Sequence, residues 1–332
     1  MTGPIAHGGD LDAARRRFPH APEPWLDLST GINPLPYPVP PLSSEMWTRL
    51  PQADAERALQ LAATHAFGAA DPVMIVSAPG TQALIQLLPA LQRSSSRVAV
   101  VGPTYAEHAR SWARAGHDVH HVATLGHAHD ADVVVIVNPD NPTGRLNPRP
   151  ELERCARAVV QRGGLLVIDE AFVDVLDPNA SVVPDLPPAT AVLRSFGKSY
   201  GLAGLRLGFA VAAPPLAERL RDLLGPWAVA GPALEIGRRA LADTDWLADT
   251  RRRLTQDSGR LDDLLTAAGC RLLGGTPLFR LVAHDAAAQL AGRLGAHAIH
   301  VRCFAHEPAW LRFGLPGHAD DWRRLSTALA AR

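Results

Sequence analysis

Apolar residues in this chain come in short unbroken runs, separated by stretches with helical spacing. Val73–Ser77, Arg97–Val101, Val119–Val122, Val133–Val137, Leu165–Ile168, Ala191–Ser195 and Leu207–Ala212 each predict a strand. Runs that are apolar without alternation suit strands covered on both faces. Between them, spacing of three and four predicts helices over Asp54–Phe67, from the small-residue turn Ala78–Gln82 through Leu91, over Tyr105–Ala115 and over Glu151–Gln161. Strands alternating with helices predict the α/β class, with a mainly parallel sheet between helical layers. In such sheets ligands bind beyond the carboxyl ends of the strands.

The two ends of the chain follow other patterns. Residues 1–40 are rich in Gly and Pro, with His7-Gly-Gly9, Trp25-Leu-Asp-Leu-Ser29-Thr30-Gly31-Ile32-Asn33-Pro34 and a run of prolines to Pro41. Pro excludes a long helix or a central strand there. The segment therefore reads as an extended arm, and Trp25, Leu26, Leu28 and Ile32 need a surface to cover. With no evident sheet position of its own, that arm, together with the resemblance given below, predicts a homodimer with active sites near the interface. From Pro214 the pattern turns helical, with Asp245–Ala268 as one long helix dense in Arg and Asp. Strands at Arg280–Val282, Ala298–Phe304 and Trp310–Leu315, with a helix near Asp285–Leu294, predict a smaller α+β lobe. The expected organisation is an arm over 1–40 packed on the small domain or active site, a large domain over 41–228 and a small domain over 229–332.

Composition narrows the function. With 47% hydrophobic and 20% charged residues, zero formal net charge and a pI near 7.3, the chain reads as soluble and globular. Nothing points to nucleic acid or acidic membranes. No run of 18 apolar residues and no basic-then-apolar leader occurs, and Cys155, Cys270 and Cys303 are odd in number and far apart. Reduced thiols in a cytoplasm are expected. His120-His121 and His127-Ala-His129 lack a carboxylate-rich helix beside them, so no metal site is expected.

The chemistry centres on Lys198, the only lysine among 33 Lys and Arg residues. An amine can lose its proton near neutrality and attack a carbonyl, whereas a guanidinium stays charged. A Schiff base with an aldehyde cofactor, pyridoxal 5'-phosphate, is the obvious use. The strand–turn–helix sequence at Ala78-Pro79-Gly80-Thr81-Gln82 would aim backbone N–H groups at a phosphate, and no Gly-x-Gly-x-x-Gly occurs. Tyr105 follows a strand in Gly102-Pro-Thr-Tyr, placed to stack on a flat ring. Asn138-Pro-Asp-Asn141-Pro142-Thr-Gly144 forms a stiff loop able to fix an amide. Asp169 ends an apolar strand in Asp169-Glu170-Ala-Phe172, so its carboxylate needs a partner, and a protonated pyridine nitrogen would be one.

Taken in order, Asn-Pro-x-Asn-Pro-Thr-Gly, Asp-Glu-Ala-Phe and Ser195-x-x-Lys198 followed by Arg206 resemble the fold-type-I pyridoxal-phosphate enzymes of the aminotransferase superfamily over nearly the whole chain. Within it the chain is similar to histidinol-phosphate aminotransferases and, still more, to the threonine-phosphate decarboxylases of cobalamin biosynthesis. His7-Gly-Gly9, Leu-Ser29-Thr30-Gly31-Ile-Asn33-Pro and Trp310-Leu-Arg312-Phe-Gly-Leu-Pro carry that second likeness. The resemblance implies a mainly parallel seven-stranded sheet plus a smaller domain. It implies that Lys198 bears the cofactor and moves protons at the substrate α-carbon, and that Asp169 pairs with the pyridine nitrogen. Asn141 would bond the phenolic oxygen beside Phe172, Tyr105 would stack on the ring, and Gly80, Thr81, Ser195 and Arg206 would hold the phosphate. His7, Ser29, Thr30, Gly31, Asn33, Asn141 and Arg312 would contact a small phosphorylated amino acid. Two positions depart from the pattern: Phe172 replaces a tyrosine bonded to the phenolic oxygen, and Leu50-Pro51 replaces a Tyr-Pro that reaches the partner subunit's cofactor. The expected reaction is decarboxylation of L-threonine O-3-phosphate. The alternatives are an aminotransferase of the histidinol-phosphate type and, from another class, a degenerate binding homologue.

Overall fold

In the computed structural model, residues 8–331 are described. After a short helix α1 (Leu11–Arg17), whose first turn is capped by the Asp10 carboxylate, the chain forms strand β1 (Leu26–Leu28). Helices α2 (Glu45–Thr48) and α3 (Ala53–Phe67) follow, and Gly68 closes α3 in the left-handed conformation. Then come β2 (Ile75–Ala78), α4 (Thr81–Leu87), β3 (Arg97–Val101), α5 (Glu107–Arg114), β4 (Asp118–Val122), β5 (Val133–Val137) and α6 (Arg149–Val160). They are followed by β6 (Leu165–Asp169), β7 (Thr190–Ser195), the single turn α7 (Phe196–Ser199), β8 (Gly208–Ala212), α8 (Pro214–Leu224) and α9 (Gly231–Ala242). The last elements are α10 (Thr244–Ala267), β9 (Arg271–Thr276), β10 (Phe279–Ala283), α11 (Ala287–Ala296), β11 (Ile299–Cys303), β12 (Trp310–Gly314) and α12 (Ala319–Ala330).

The α/β class read from the pattern is the class observed. Seven strands form one sheet in the order β2-β8-β7-β6-β5-β3-β4, parallel except for β8, which runs antiparallel to both β2 and β7. Every residue of β5 and β6 is buried. Val134 and Ile136 join one core layer with Leu59 and Phe67 of α3. Val133 and Val135 face the other layer, with Leu84, Trp112 and Leu220. Two covered faces explain why these strands lack alternation.

Five strands form a second sheet, β1-β11-β12-β10-β9. Here the expectation that residues 1–40 have no sheet position is corrected. Leu26–Leu28 pairs in parallel with Ile299–Val301 as an edge strand. An edge place tolerates the prolines close by, because one side of the strand needs no ladder partner. The chain divides into two compact units. The smaller holds the described residues up to Pro36, Pro142–Gly144 and the chain from Asp249 onward; the larger holds Tyr37–Asn141 and Arg145–Ala248. Helix α9 packs on α3, so it belongs to the larger unit, and the division falls inside α10; the sequence had set it earlier, at 228.

Candidate active site

All nine residues expected at the cofactor lie together. Gly80, Thr81, Tyr105, Asn141, Asp169, Phe172, Ser195, Lys198 and Arg206 line one cavity of about 210 Å³ in the larger unit. They sit on the turns that leave the carboxyl ends of β2, β3, β5, β6 and β7. At Gly80 φ is +83°, and a Cβ there would stand 2.8 Å from an Arg206 guanidinium nitrogen. A Cβ at Gly208 would stand 2.5 Å from the Thr81 amide nitrogen. Glycine at both positions brings the guanidinium and the first amides of α4 side by side. Arg206 donates to the Ala203 carbonyl at 3.1 Å, and among the described residues no carboxylate pairs with it.

Asp169 is the last residue of β6 and is 4% exposed. One carboxylate oxygen lies 2.8 Å from His108 Nε2, and the other accepts the Ala171 N–H at 3.0 Å. His108 Nδ1 has no hydrogen-bond partner among the described residues. The tautomer protonated at Nε2 therefore satisfies the pair, with the imidazole donating to the carboxylate oxygen. His108 escaped the sequence reading, since one histidine on an apolar helical face looks like core. Its place three residues after Tyr105 was the available signal, and the two rings meet edge-on at 6.1 Å.

Two further groups brace the cavity. The Tyr105 hydroxyl donates to Gln82 Oε1 at 3.2 Å, and Gln82 Nε2 donates to Glu107 at 3.2 Å. Burial, with Glu107 and Asp169 nearby, pushes the Tyr105 hydroxyl up to about 12, so it is neutral in the physiological range. Behind the cavity, fully buried Arg194 on β7 bonds Glu170 and Asp174 and lies over the Phe67 ring. Removal from water pushes the Glu170 carboxyl upward, against the pull of Arg194. This cluster ties the residue after Asp169 to the residue before Ser195, fixing two strand ends against each other. Lys198, on the single turn α7, has its Nζ 5.8 Å from the centre of the Phe172 ring.

The described residues expected at the substrate belong to the smaller unit, apart from Asn141. Ser29 is fully buried; its hydroxyl donates to Asp27 at 2.6 Å and accepts from the Gly9 N–H at 2.7 Å. A Cβ on Gly8 would fall 2.3 Å from the Ser29 carbonyl oxygen, so this turn passes directly over Ser29–Thr30. His7 lies outside the described residues. Gly31 is buried and Thr30 half-buried, while the Asn33 side-chain oxygen accepts from Leu35 N–H and from Arg253. Arg312, on β12, donates to the Ser29 carbonyl at 2.7 Å. Its register partner on β11 is Arg302, another arginine the sequence reading passed over. Burial and the neighbouring Arg302 lower the Arg312 guanidinium to about 10, and burial lowers Arg302 too. Among the described residues no cluster of His, Cys, Asp and Glu could hold a metal ion, and no helix is long and apolar enough to cross a membrane.

Residues 40–325 match the family model for aminotransferase class I and II. A threonine-phosphate decarboxylase from Sinorhizobium sp is 44% identical, the match covering 99% of both chains. Another from Pseudomonas aeruginosa is 40% identical over 98% of this chain and 97% of that one. Among solved structures, the histidinol-phosphate aminotransferase of Sinorhizobium meliloti in complex with pyridoxal-5'-phosphate superposes with a TM-score of 0.81 at 22% identity, covering 99% of this chain and 94% of that one. The chain belongs to the class I and II aminotransferase family.

Proposed function

We propose that this protein is a pyridoxal-phosphate-dependent carboxy-lyase that converts L-threonine O-3-phosphate to (R)-1-aminopropan-2-yl phosphate for cobalamin biosynthesis. The observation that carries the reading is the end-to-end similarity to two threonine-phosphate decarboxylases, at 44% and 40% identity. The cavity fits the cofactor on its own terms. A guanidinium that no carboxylate pairs with among the described residues, beside the first amides of α4, suits a phosphate. Lys198 offers the amine for attachment, and Asp169, held in place by His108 and the Ala171 N–H, offers a carboxylate partner to a pyridinium. Asn141 would bond the phenolic oxygen and Tyr105 would stack on the ring face; both line the cavity.

When bound, pyridoxal phosphate supplies an electron sink for whichever bond to the substrate α-carbon stands perpendicular to its ring. The residues of this chain choose the bond and handle the proton. Arg312, with Arg302 opposite it, offers two adjacent guanidinium groups to the carboxylate and phosphate of the substrate. An anion between them offsets their mutual repulsion. With both anionic groups anchored, rotation about the bond to the α-carbon is fixed, leaving the carboxylate to depart. Lys198 Nζ then delivers a proton to the α-carbon.

The protein works as a homodimer in this reading. Trp47 (69% exposed), Leu50 (59%) and Trp227 (59%) are large apolar side chains left in water around α2 and the start of α9, which pack on each other. Such a patch marks an interface. Its three free cysteines accord with a cytoplasmic location. The test is turnover of L-threonine phosphate with and without a 2-oxo acid. Carbon dioxide released without the oxo acid supports the decarboxylase. An absolute requirement for the oxo acid, with no carbon dioxide, assigns the chain to the aminotransferases instead.

A further inference from the structure

Lys198 has no long helix to hold it. Its turn, α7, is four residues long, and one helical turn does not form unaided, because its nucleus fixes several dihedrals for a single hydrogen bond. The supports described next all belong to the larger unit. On one side the turn lies flush on the segment ahead of Arg206, where a Cβ on Gly197 would stand 2.7 Å from Ala203 Cα. On another side stands a ladder of aromatic rings. Phe196 and Tyr200, both buried, stack at 4.4 Å with 9° between their planes. Trp246, in the first turn of α10, stacks on Tyr200 at 5.5 Å and 11°. The Tyr37 ring stands edge-on to Tyr200 and Trp246, at 6.3 and 5.1 Å, and the Tyr37 N–H donates to the Tyr200 carbonyl at 2.9 Å. The Tyr37 hydroxyl donates to Asp243, which also accepts the Trp246 N–H at 3.0 Å.

Helical geometry puts this ladder behind the lysine. Phe196 and Tyr200 are spaced i, i+4 and share a face. Lys198, two residues from each, emerges about 160° around the turn from either. Lys198 lines the cavity, whereas Phe196, Tyr200, Trp246 and Tyr37 do not. We infer that Trp246 and Tyr37 are positioning residues for Lys198: from outside the cavity they fix the Tyr200 ring, and through it the turn that carries the amine. The inference rests on the reading of Lys198 as the cofactor's attachment point. Trp246 and Tyr37 are half-buried, so truncating either removes support from Tyr200 with a smaller loss of core than truncating Tyr200 itself. With that support gone the turn can rock, and the amine moves with it.

The test compares wild type with Trp246→Ala, Trp246→Phe, Tyr37→Leu and Leu220→Ala. The last truncates the other core layer and controls for general loss of stability. Because Lys198 is the only lysine, acylation of the full-length chain freed of pyridoxal phosphate, read on the Lys198 peptide by mass spectrometry, reports how this one amine is held. Turnover of the loaded enzyme is read beside it. Trp246→Ala should lower turnover about fivefold, the worth of one stacked aromatic pair. It should raise the acylation rate by a similar factor as the turn loosens. Tyr37→Leu should move both readings the same way by less, and it carries the test if Trp246→Ala folds poorly. Trp246→Phe keeps a ring against Tyr200 and should restore both. Leu220→Ala should lower the melting temperature and leave both at wild type. Wild-type acylation in Trp246→Ala and Tyr37→Leu overturns the inference, as does an equal rise in Leu220→Ala. A Lys198→Ala variant with the wild-type visible spectrum instead removes the attachment reading, and the inference falls with it.

Discussion

Lys198 and Arg312, the two side chains proposed to act on the substrate, are mounted in two ways. Lys198 stands on a single helical turn and lines a cavity, and the neighbouring strand ends are held by other residues, Arg194 with Glu170 and Asp174 among them. Arg312 is itself part of the fold: 7% exposed, mid-strand, and bonded to the Ser29 carbonyl. In the larger unit, therefore, chemistry and scaffold are separable, while in the smaller unit they share the same atoms. Substitutions at the first should cost activity alone, and at the second activity and stability together.

The sharpest break comes at Lys198. Lys198→Ala should abolish turnover, and Lys198→Arg should be equally inactive. Stability should stay within about 0.5 kcal/mol of wild type, since the side chain adds little to the core. A folded Lys198→Ala enzyme with substantial turnover in a carbon dioxide assay would refute its role. Next is Asp169. Asp169→Asn keeps shape and should lower turnover on the order of 10²–10³-fold, as for loss of one preorganised electrostatic group. Asp169→Ala should in addition weaken cofactor binding and lower the melting temperature, because buried His108 loses its partner at about 1–3 kcal/mol. Wild-type rates from Asp169→Asn would place the pyridine partner elsewhere.

The same contrast sets what the sequence disclosed. The strands of the large sheet were legible because both faces are covered and their runs are unbroken; Arg97–Val101 and Val133–Val137 match residue for residue. The cavity was legible because its residues sit in short motifs next to those runs. β9 was not, since Gly274-Gly275 and the exposed Leu272 at a sheet edge carry little strand pattern. Nor was the edge strand Leu26–Leu28, only three residues long beside prolines. His108, Gln82 and Arg302 act through partners remote in sequence, at Asp169, Tyr105 and Arg312, and no local spacing announces such pairs.

Arg312→Met tests the shared side of the comparison. It leaves the buried Ser29 carbonyl unsatisfied, at about 1–3 kcal/mol. It also relieves the cross-strand repulsion with Arg302, worth about 0.2–1 kcal/mol. The first is larger, so a urea titration should show net destabilisation alongside weaker substrate binding. In the wild type, Arg312 titrates near 10, below an ordinary arginine. Binding of the anionic substrate should therefore hold through neutrality and weaken as the pH rises toward about 10. Unchanged stability in Arg312→Met would show that the smaller unit keeps chemistry and scaffold apart after all.

The smallest effect is expected at Tyr105→Phe, which separates ring from hydroxyl within the cavity. The ring survives, so stacking and the edge-on contact with His108 survive with it. The lost group is one neutral hydroxyl donating to Gln82 at 3.2 Å. A neutral hydrogen bond of that kind is worth about 0.5–1.5 kcal/mol, and Gln82 keeps its link to Glu107. Cofactor affinity should therefore fall by about fivefold at most, far less than for Asp169→Ala. Because the hydroxyl titrates only near 12, it stays protonated on both sides of neutrality. Its removal should leave the pH profile of turnover in place while lowering its height slightly. A profile displaced along the pH axis would show the hydroxyl exchanging a proton during the reaction, and Tyr105 would then join Lys198 in the chemistry instead of bracing the ring.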